Sequence, residues 1–246
     1  MSTNVISEST STAAEPRLSN ERKFIAPARS AERALGVLES MLLPDGEYPV
    51  NTITSIYYET RDLLRYAEKT DGDNLKHKVR LRWYGSSDPA ASRLTRAFIE
   101  VKFRVGSARH KTRHDLQLDR AWLESTPLTD PRLLDVLAQA GEAEKPWMAP
   151  TLVPAVCISY DRHRYRCPYT GGRVAVDRQI RISRFHPELF PLGVPLELDA
   201  TVCEYKDAAQ VDIPWARHLY EAGFRLRSFS KFGEAIRLLQ LGGAPA

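Results

Sequence analysis

The chain has 246 residues, enough to bury a full hydrophobic core as one domain or as two closely fused halves. Its 43% apolar and 27% charged residues exclude a wholly disordered or fibrous protein, and no run approaches the ~18 consecutive apolar residues of a membrane helix. The net charge of +4 hides an asymmetry: residues 76–113 hold eleven Lys/Arg against two Asp/Glu, a local +9 that leaves −5 elsewhere. Clustered like charge is costly without a counter-charge, so the segment points to a polyanion. Nucleic acid, anionic lipid, and a nucleotide or phosphate chain all qualify.

Residues 1–20 lack a basic start followed by an apolar run. They read as a polar, disordered leader rather than a secretory signal, ahead of a single domain over residues 21–243. Residues 21–25 suggest a first strand. Residues 30–42 carry Leu35, Leu38 and Leu42 at helical spacing, with Ser30 as N-cap, and Pro44-Asp45-Gly46 ends that helix. The β-branched and aromatic run from Asn51, NTITSIYYET, predicts a strand. A basic strand over 76–84, a GSSDPAAS loop, a strand over 96–105 and helical material over 131–140 follow, closed by Gly141 and Pro146.

Residues 153–166 and 173–182 form strands of a hairpin turned by Tyr169-Thr170-Gly171-Gly172, and 196–206 is another strand. Asp212-Ile213-Pro214 opens a helix that ends near Gly223, and residues 231–241 form a last helix stopped by Gly242-Gly243. About seven or eight strands with few helices favour a closed or strongly curved antiparallel sheet over βαβ units. No Walker or dinucleotide-type Gly-rich phosphate loop is present. Cys157, Cys167 and Cys203 have no CxxC spacing and read as buried free thiols. His110 and His114 lack a neighbouring Cys or Glu ligand and read as a solvated pair.

Side chains two apart on a strand share a face. Lys76, Lys78, Arg80 and Arg82 therefore oppose His77, Val79, Leu81 and Trp83, and Glu100, Lys102 and Arg104 oppose Ile99, Val101, Phe103 and Val105. A solvated face usually intersperses charge signs, whereas these two polar faces hold six basic groups and one carboxylate. The Glu-x-Lys spacing of Glu100 and Lys102 recurs at Glu21 and Lys23 and at Glu204 and Lys206. Arg162, Arg164 and Arg166 share a face, as do Arg173 and Asp177. If the sheet closes, these faces meet in one lumen.

Arginine forks and lysine point charges satisfy the non-bridging oxygens of a phosphate chain. Carboxylates among them would repel phosphate unless a divalent metal bridges the two, and hard oxygen donors suit Mg²⁺ or Mn²⁺. Single-strand nucleic-acid binding would want an exposed basic stripe with stacking aromatics. Tyr84, Tyr160 and Tyr165 are available, but RNP-like, GXXG and helix-turn-helix patterns are absent, so no nucleic acid is expected. A lipid-headgroup module stays open.

The ordered series ERKF, SIYYET, KVRLRWY, FIEVKFR, SYDRHRY with GGRVAVD, VCEYK and RSFSKF, from residue 21 to about 232, resembles the catalytic domain of the vacuolar transporter chaperone (VTC) polyphosphate polymerases and their bacterial relatives. These belong to the triphosphate tunnel metalloenzymes. The resemblance implies a mainly β (α+β) fold, a closed antiparallel β-barrel forming a tunnel with flanking helices. It also implies transfer of the γ-phosphoryl group of ATP to a polyphosphate chain, with release of ADP and dependence on Mn²⁺ or Mg²⁺.

Carried onto this sequence, the resemblance makes Arg80, Arg82, Lys102, Lys206 and Lys231 catalytic. Phosphate binding adds Lys23, Lys78, Arg162 and Arg173, and the metal falls to Glu204 and Glu100. Two positions depart from the family's pattern: Glu59 stands where relatives show Asp, and Tyr205 stands where an aliphatic residue is usual. A chain without the regulatory N-terminal helical domain and the membrane span of the eukaryotic assemblies is expected. The expectation is a cytoplasmic, bacterial form acting alone or with a separate membrane partner. Hydrolysis of tripolyphosphate or a nucleoside triphosphate in the same site, or non-catalytic binding of polyphosphate or nucleic acid, are the alternatives.

Overall fold

The computed structural model describes residues 20–70, 75–85, 93–105, 108–140, 151–207, 213 and 215–242. The expected leader lies outside them, apart from Asn20. So do most of the GSSDPAAS loop, the Gly141–Pro146 stop, Asp212, Pro214 and Gly243. In chain order the elements are β1 (Asn20–Ala26), α1 (Ala31–Glu39), β2 (Leu43–Pro44), β3 (Val50–Thr60), α2 (Leu64–Thr70), β4 (Leu75–Tyr84), β5 (Leu94–Val105) and β6 (Ala108–Asp119). They continue with α3 (Arg120–Ser125), α4 (Arg132–Ala138), β7 (Leu152–Arg166), β8 (Arg173–Phe185), β9 (Leu196–Glu197), β10 (Thr201–Asp207), α5 (Ala216–Glu221), β11 (Arg225–Leu226) and α6 (Lys231–Gln240).

The strands make one sheet in the order β11-β1-β10-β8-β7-β3-β4-β5-β6, with β2 on β7 and β9 on β8. The sheet is open, which corrects the expected closed barrel. The short β11 pairs with Phe24 and Ile25 and so occupies the free edge of β1, while among the described residues β6 pairs only with β5. Closure demands that strand number, tilt and stagger agree around the whole sheet, a condition that local alternation does not encode. The sheet is nevertheless strongly curled. Five strand spacings separate β10 from β5, about 24 Å in a flat sheet, yet Lys206 and Lys102 line one cavity.

Alternation sorts the two faces. On the convex face Val79, Leu81, Trp83, Ile99 and Val101 pack against Leu123 of α3 and Leu133 and Leu137 of α4. Farther along, Phe24, Val174, Val176, Cys203 and Tyr205 pack against α1 and, through Trp215 and Leu219, against α5. On the concave face Ile53, Ile158, Tyr160 and Ile180 bury the apolar side of α6, Phe232, Ile236 and Leu239, so this helix sits in the hollow over β3, β7 and β8. A bulge opposite Tyr160, with Gln179 at φ 50°, lets β8 present Asp177 and then Ile180 to the same face.

Several local readings shift. Residues 108–119 form a full edge strand that the basic pattern did not reveal, and His114 on it is half-buried rather than solvated. The helix expected over 30–42 spans Ala31–Glu39, and Ser30 makes no side-chain cap. Cys157, Cys167 and Cys203 are free and buried.

Candidate functional site

The concave face and the start of α6 enclose a cavity of about 200 Å³ lined by Lys23, Lys78, Arg80, Arg82, Lys102, Arg162, Lys206 and Lys231, with Glu21, Glu100 and Glu204 among them. Ten of the eleven site residues expected from the sequence therefore meet here. The exception is Arg173, which stands exposed at the first position of β8, in register with Lys206 but outside the cavity lining. Of the three arginines on one face of β7, only Arg162 lines the cavity; Arg164 donates to the Tyr48 carbonyl at 3.0 Å and to Asn51.

On the β4–β6 side everything converges on Glu100, 2% exposed. Arg80 donates from Nε at 2.7 Å, Arg82 lies at 3.7 Å, and the edge-strand residues Lys111 and Arg113 reach Oε1 at 2.9 and 3.8 Å. Burial would raise the Glu100 pKa, but Arg80, Arg82 and Lys111 pull it well below the usual carboxylate range. Arg82 also donates to Ser55 Oγ at 3.1 Å, and Arg80 to the Tyr57 hydroxyl at 3.1 Å. Tyr57 is buried and stacked on Phe232. Burial opposes its ionisation, yet Arg80, Arg82 and Lys78 bring its pKa down to about 7.

Lys102, two residues from Glu100, makes no ion pair within 4 Å among the described residues. The residue is exposed as a whole, yet its charge is crowded by protein. Desolvation, and then the like charges of Arg80, Lys206 and Lys111, lower its pKa to about 8.

On the β1–β10–β8 side the centre is Asp177, fully buried, which takes both arms of Arg162 at 2.6 and 2.7 Å and Lys231 Nζ at 2.5 Å. Burial raises and Arg162 and Lys231 lower its pKa, leaving it at about 2. Lys231 is the first residue of α6, whose N-cap Ser230 accepts from the Gly233 amide at 3.2 Å and from Lys78 at 3.1 Å. Asp177 and the Ser230 cap thus pin the helix start, where partial positive charge collects, against the cation set. Alternation in RVAVD put Asp177 on this face; the β7–β8 register gives it Arg162, and α6 gives it Lys231.

Glu204 is less sequestered, at 11% side-chain exposure, with Lys206 at 3.0 Å and Arg162 at 3.6 Å. Its pKa lies below the usual range because Lys206, Lys23 and Arg162 outweigh burial, and Glu21 lies within hydrogen-bonding reach of it. Tyr205 points to the opposite face, its ring edge on Trp215, so the polar spacing of Glu204 and Lys206 survives the departure at this position. Glu59 stays out of the cavity: its Oε1 accepts from the Thr60 and Arg65 amides at the start of α2.

A hard divalent cation needs only one or two protein carboxylates when phosphates and waters complete the shell. Glu204 with Glu21 fits that requirement; Glu100, with four cations around its two oxygens, is the poorer donor. No cluster of three or more His, Cys, Asp or Glu residues poised for a metal occurs among the described residues. No described helix is long and apolar enough to cross a membrane.

No curated protein matches the chain. Among solved structures, a protein from Vibrio parahaemolyticus provisionally described as an adenylate cyclase is similar at 10% identity over 86% of this chain and 94% of that one. Its TM-score of 0.41 is too low to bear on fold or function. The VTC domain family model matches residues 19–240, from β1 to the last residue of α6, and so includes every strand that contributes to the cavity. The chain belongs to the VTC domain family.

Proposed function

We propose that the chain is a phosphotransferase, dependent on Mn²⁺ or Mg²⁺, that moves the γ-phosphoryl group of ATP onto a polyphosphate chain. The observation that carries this reading is one cavity in which eight cations surround three carboxylates; the family membership supports it. The guanidinium forks of Arg80, Arg82 and Arg162 hold non-bridging oxygens, and Lys23, Lys78, Lys102, Lys206 and Lys231 add point charges. Arg173, in register with Lys206, extends this set at the rim. Glu204, with Glu21, holds the cation, which when bound neutralises charge on the transferring oxygens.

A terminal oxygen of the polyphosphate chain attacks the γ-phosphorus as the bond to the β–γ bridging oxygen breaks, and ADP leaves with that oxygen. The acceptor oxygen is already ionised, so no side chain has to remove a proton. The protein's part is positioning and electrostatic stabilisation, which suits a site built of cations on a rigid sheet. Incubation with ATP and Mn²⁺ or Mg²⁺, read by gel and ³¹P NMR, should show chains lengthening as ADP accumulates. Orthophosphate without polymer would overturn transfer in favour of hydrolysis.

A further inference from the structure

The sheet is open at β6, and the concave face does not stop at the cavity wall. Glu100 lines the cavity, while the two edge-strand residues that hold its Oε1, Lys111 and Arg113, stand outside the lining with side chains 46% and 40% exposed. Both project from the concave face, because Lys111 is in register with Lys102 and Arg113 with Glu100.

Arg113 is held in place before any ligand arrives. Its guanidinium carbon sits 3.4 Å from the centre of the Phe98 ring, and Nη2 donates to the Tyr84 hydroxyl at 3.4 Å. A fork fixed by stacking loses little freedom on meeting a phosphate. Over the middle of the sheet α6 packs on β3, β7 and β8, and beyond β6 no strand follows among the described residues. A long polyanion reaching a cavity of about 200 Å³ must leave part of its length outside it.

We propose that Lys111 and Arg113 form an outer subsite that carries the inorganic polyphosphate chain sideways over the open β6 edge. The proposal rests on the reading of the cavity as a phosphate-chain site and adds where the chain runs. Charged residues on an edge strand also discourage strand-to-strand aggregation. That role alone would not tie both side chains to a carboxylate inside the cavity or fix one of them on an aromatic ring.

The test compares affinities for tripolyphosphate and for a long polyphosphate, by calorimetry, in the wild type and in Lys111→Gln/Arg113→Gln. The wild type should bind the long chain more tightly. The double variant should lose about tenfold of that gain, whatever happens to tripolyphosphate itself, and its salt slope for the long chain should fall by about two. Lys111→Arg, which keeps both charges and the Arg113 fork, should hold the gain, and an unchanged urea-unfolding midpoint of the double variant excludes a folding defect.

An unchanged ratio between the two ligands overturns the subsite, as does a wild type with no preference for length. Loss of wild-type affinity for both anions overturns the cavity reading instead. Tighter binding of single-stranded RNA than of polyphosphate overturns the choice of polymer. Self-association of the double variant with the ratio intact leaves only the edge-protection role and overturns the proposal.

Discussion

The two walls of the cavity use carboxylates differently. On the β4–β6 wall Glu100 is consumed: four cations share its two oxygens, and Lys102 beside it is left without an ion pair among the described residues. On the β1–β10–β8 wall Asp177, behind the surface, neutralises Arg162 and Lys231, while Glu204 and Glu21, paired with Lys206 and Lys23, stay partly exposed. One wall therefore presents spare positive charge, and the other presents oxygen donors. A metal–phosphate substrate carries both signs, and an asymmetric cavity orients it where a uniform cation cage would not.

The largest effect that can break this comparison is at Asp177. Asp177→Asn leaves two cations without their buried partner and should cost about 3–5 kcal/mol of stability in urea unfolding. Glu100→Gln should cost less, about 1–3 kcal/mol, because Lys111 can turn to water and Arg80 and Arg82 keep the Tyr57 and Ser55 hydroxyls as acceptors. Equal losses would erase the distinction between the walls.

Next is Glu204→Gln, which should lower metal-dependent turnover about 100-fold or more while anion affinity holds or rises slightly. Unchanged turnover would remove Glu204 from the metal role, and an absence of turnover in the wild type with tight anion binding would favour a non-catalytic binder. On the other wall Arg82→Ala or Lys102→Ala should weaken tripolyphosphate binding about tenfold or more, measured by calorimetry. A change below about twofold would place that residue outside the site.

The smallest effect, and the sharpest probe of the cation-rich wall, is pH. Anions favour protonated Lys102 and neutral Tyr57, so affinity should fall as pH rises, first through about 7 with Tyr57 and then through about 8 with Lys102. The whole fall should be about tenfold. Tyr57→Phe should remove the first stage and Lys102→Ala the second. Comparing each variant with the wild type at the same pH cancels the ligand's own titration.

Much of the site was legible because a strand's period of two is a local property. KVRLRWY, FIEVKFR and VCEYK each separate charge from apolar side chains before any partner is known, and ten of eleven expected residues meet as a result. Arg173 shares the face but sits at a strand end, where register alone does not say how far the cavity extends. Lys111 and Arg113 were hidden because ARHKTRHDLQLD is polar at nearly every position, so no apolar alternation marked it as a strand. Tyr57 gave no advance sign, and Tyr160 was marked only as an aromatic available for stacking, since an aromatic ring on a strand serves a core or a cavity equally well.

By itself, the order of residues determined which face of each strand is charged, the excess of cations over carboxylates on those faces, and the helix start that brings Lys231 to them. Those properties depend on neighbours within a few positions. Tertiary structure alone decided the rest: that β11 caps β1 and leaves the sheet open, that curling brings Lys206 to the same cavity as Lys102, and which ion-paired carboxylate is buried and which stays partly exposed. Closure, curvature and pairing depend on strands more than a hundred residues apart in the chain. Their geometry is set by how the packed layers fit together.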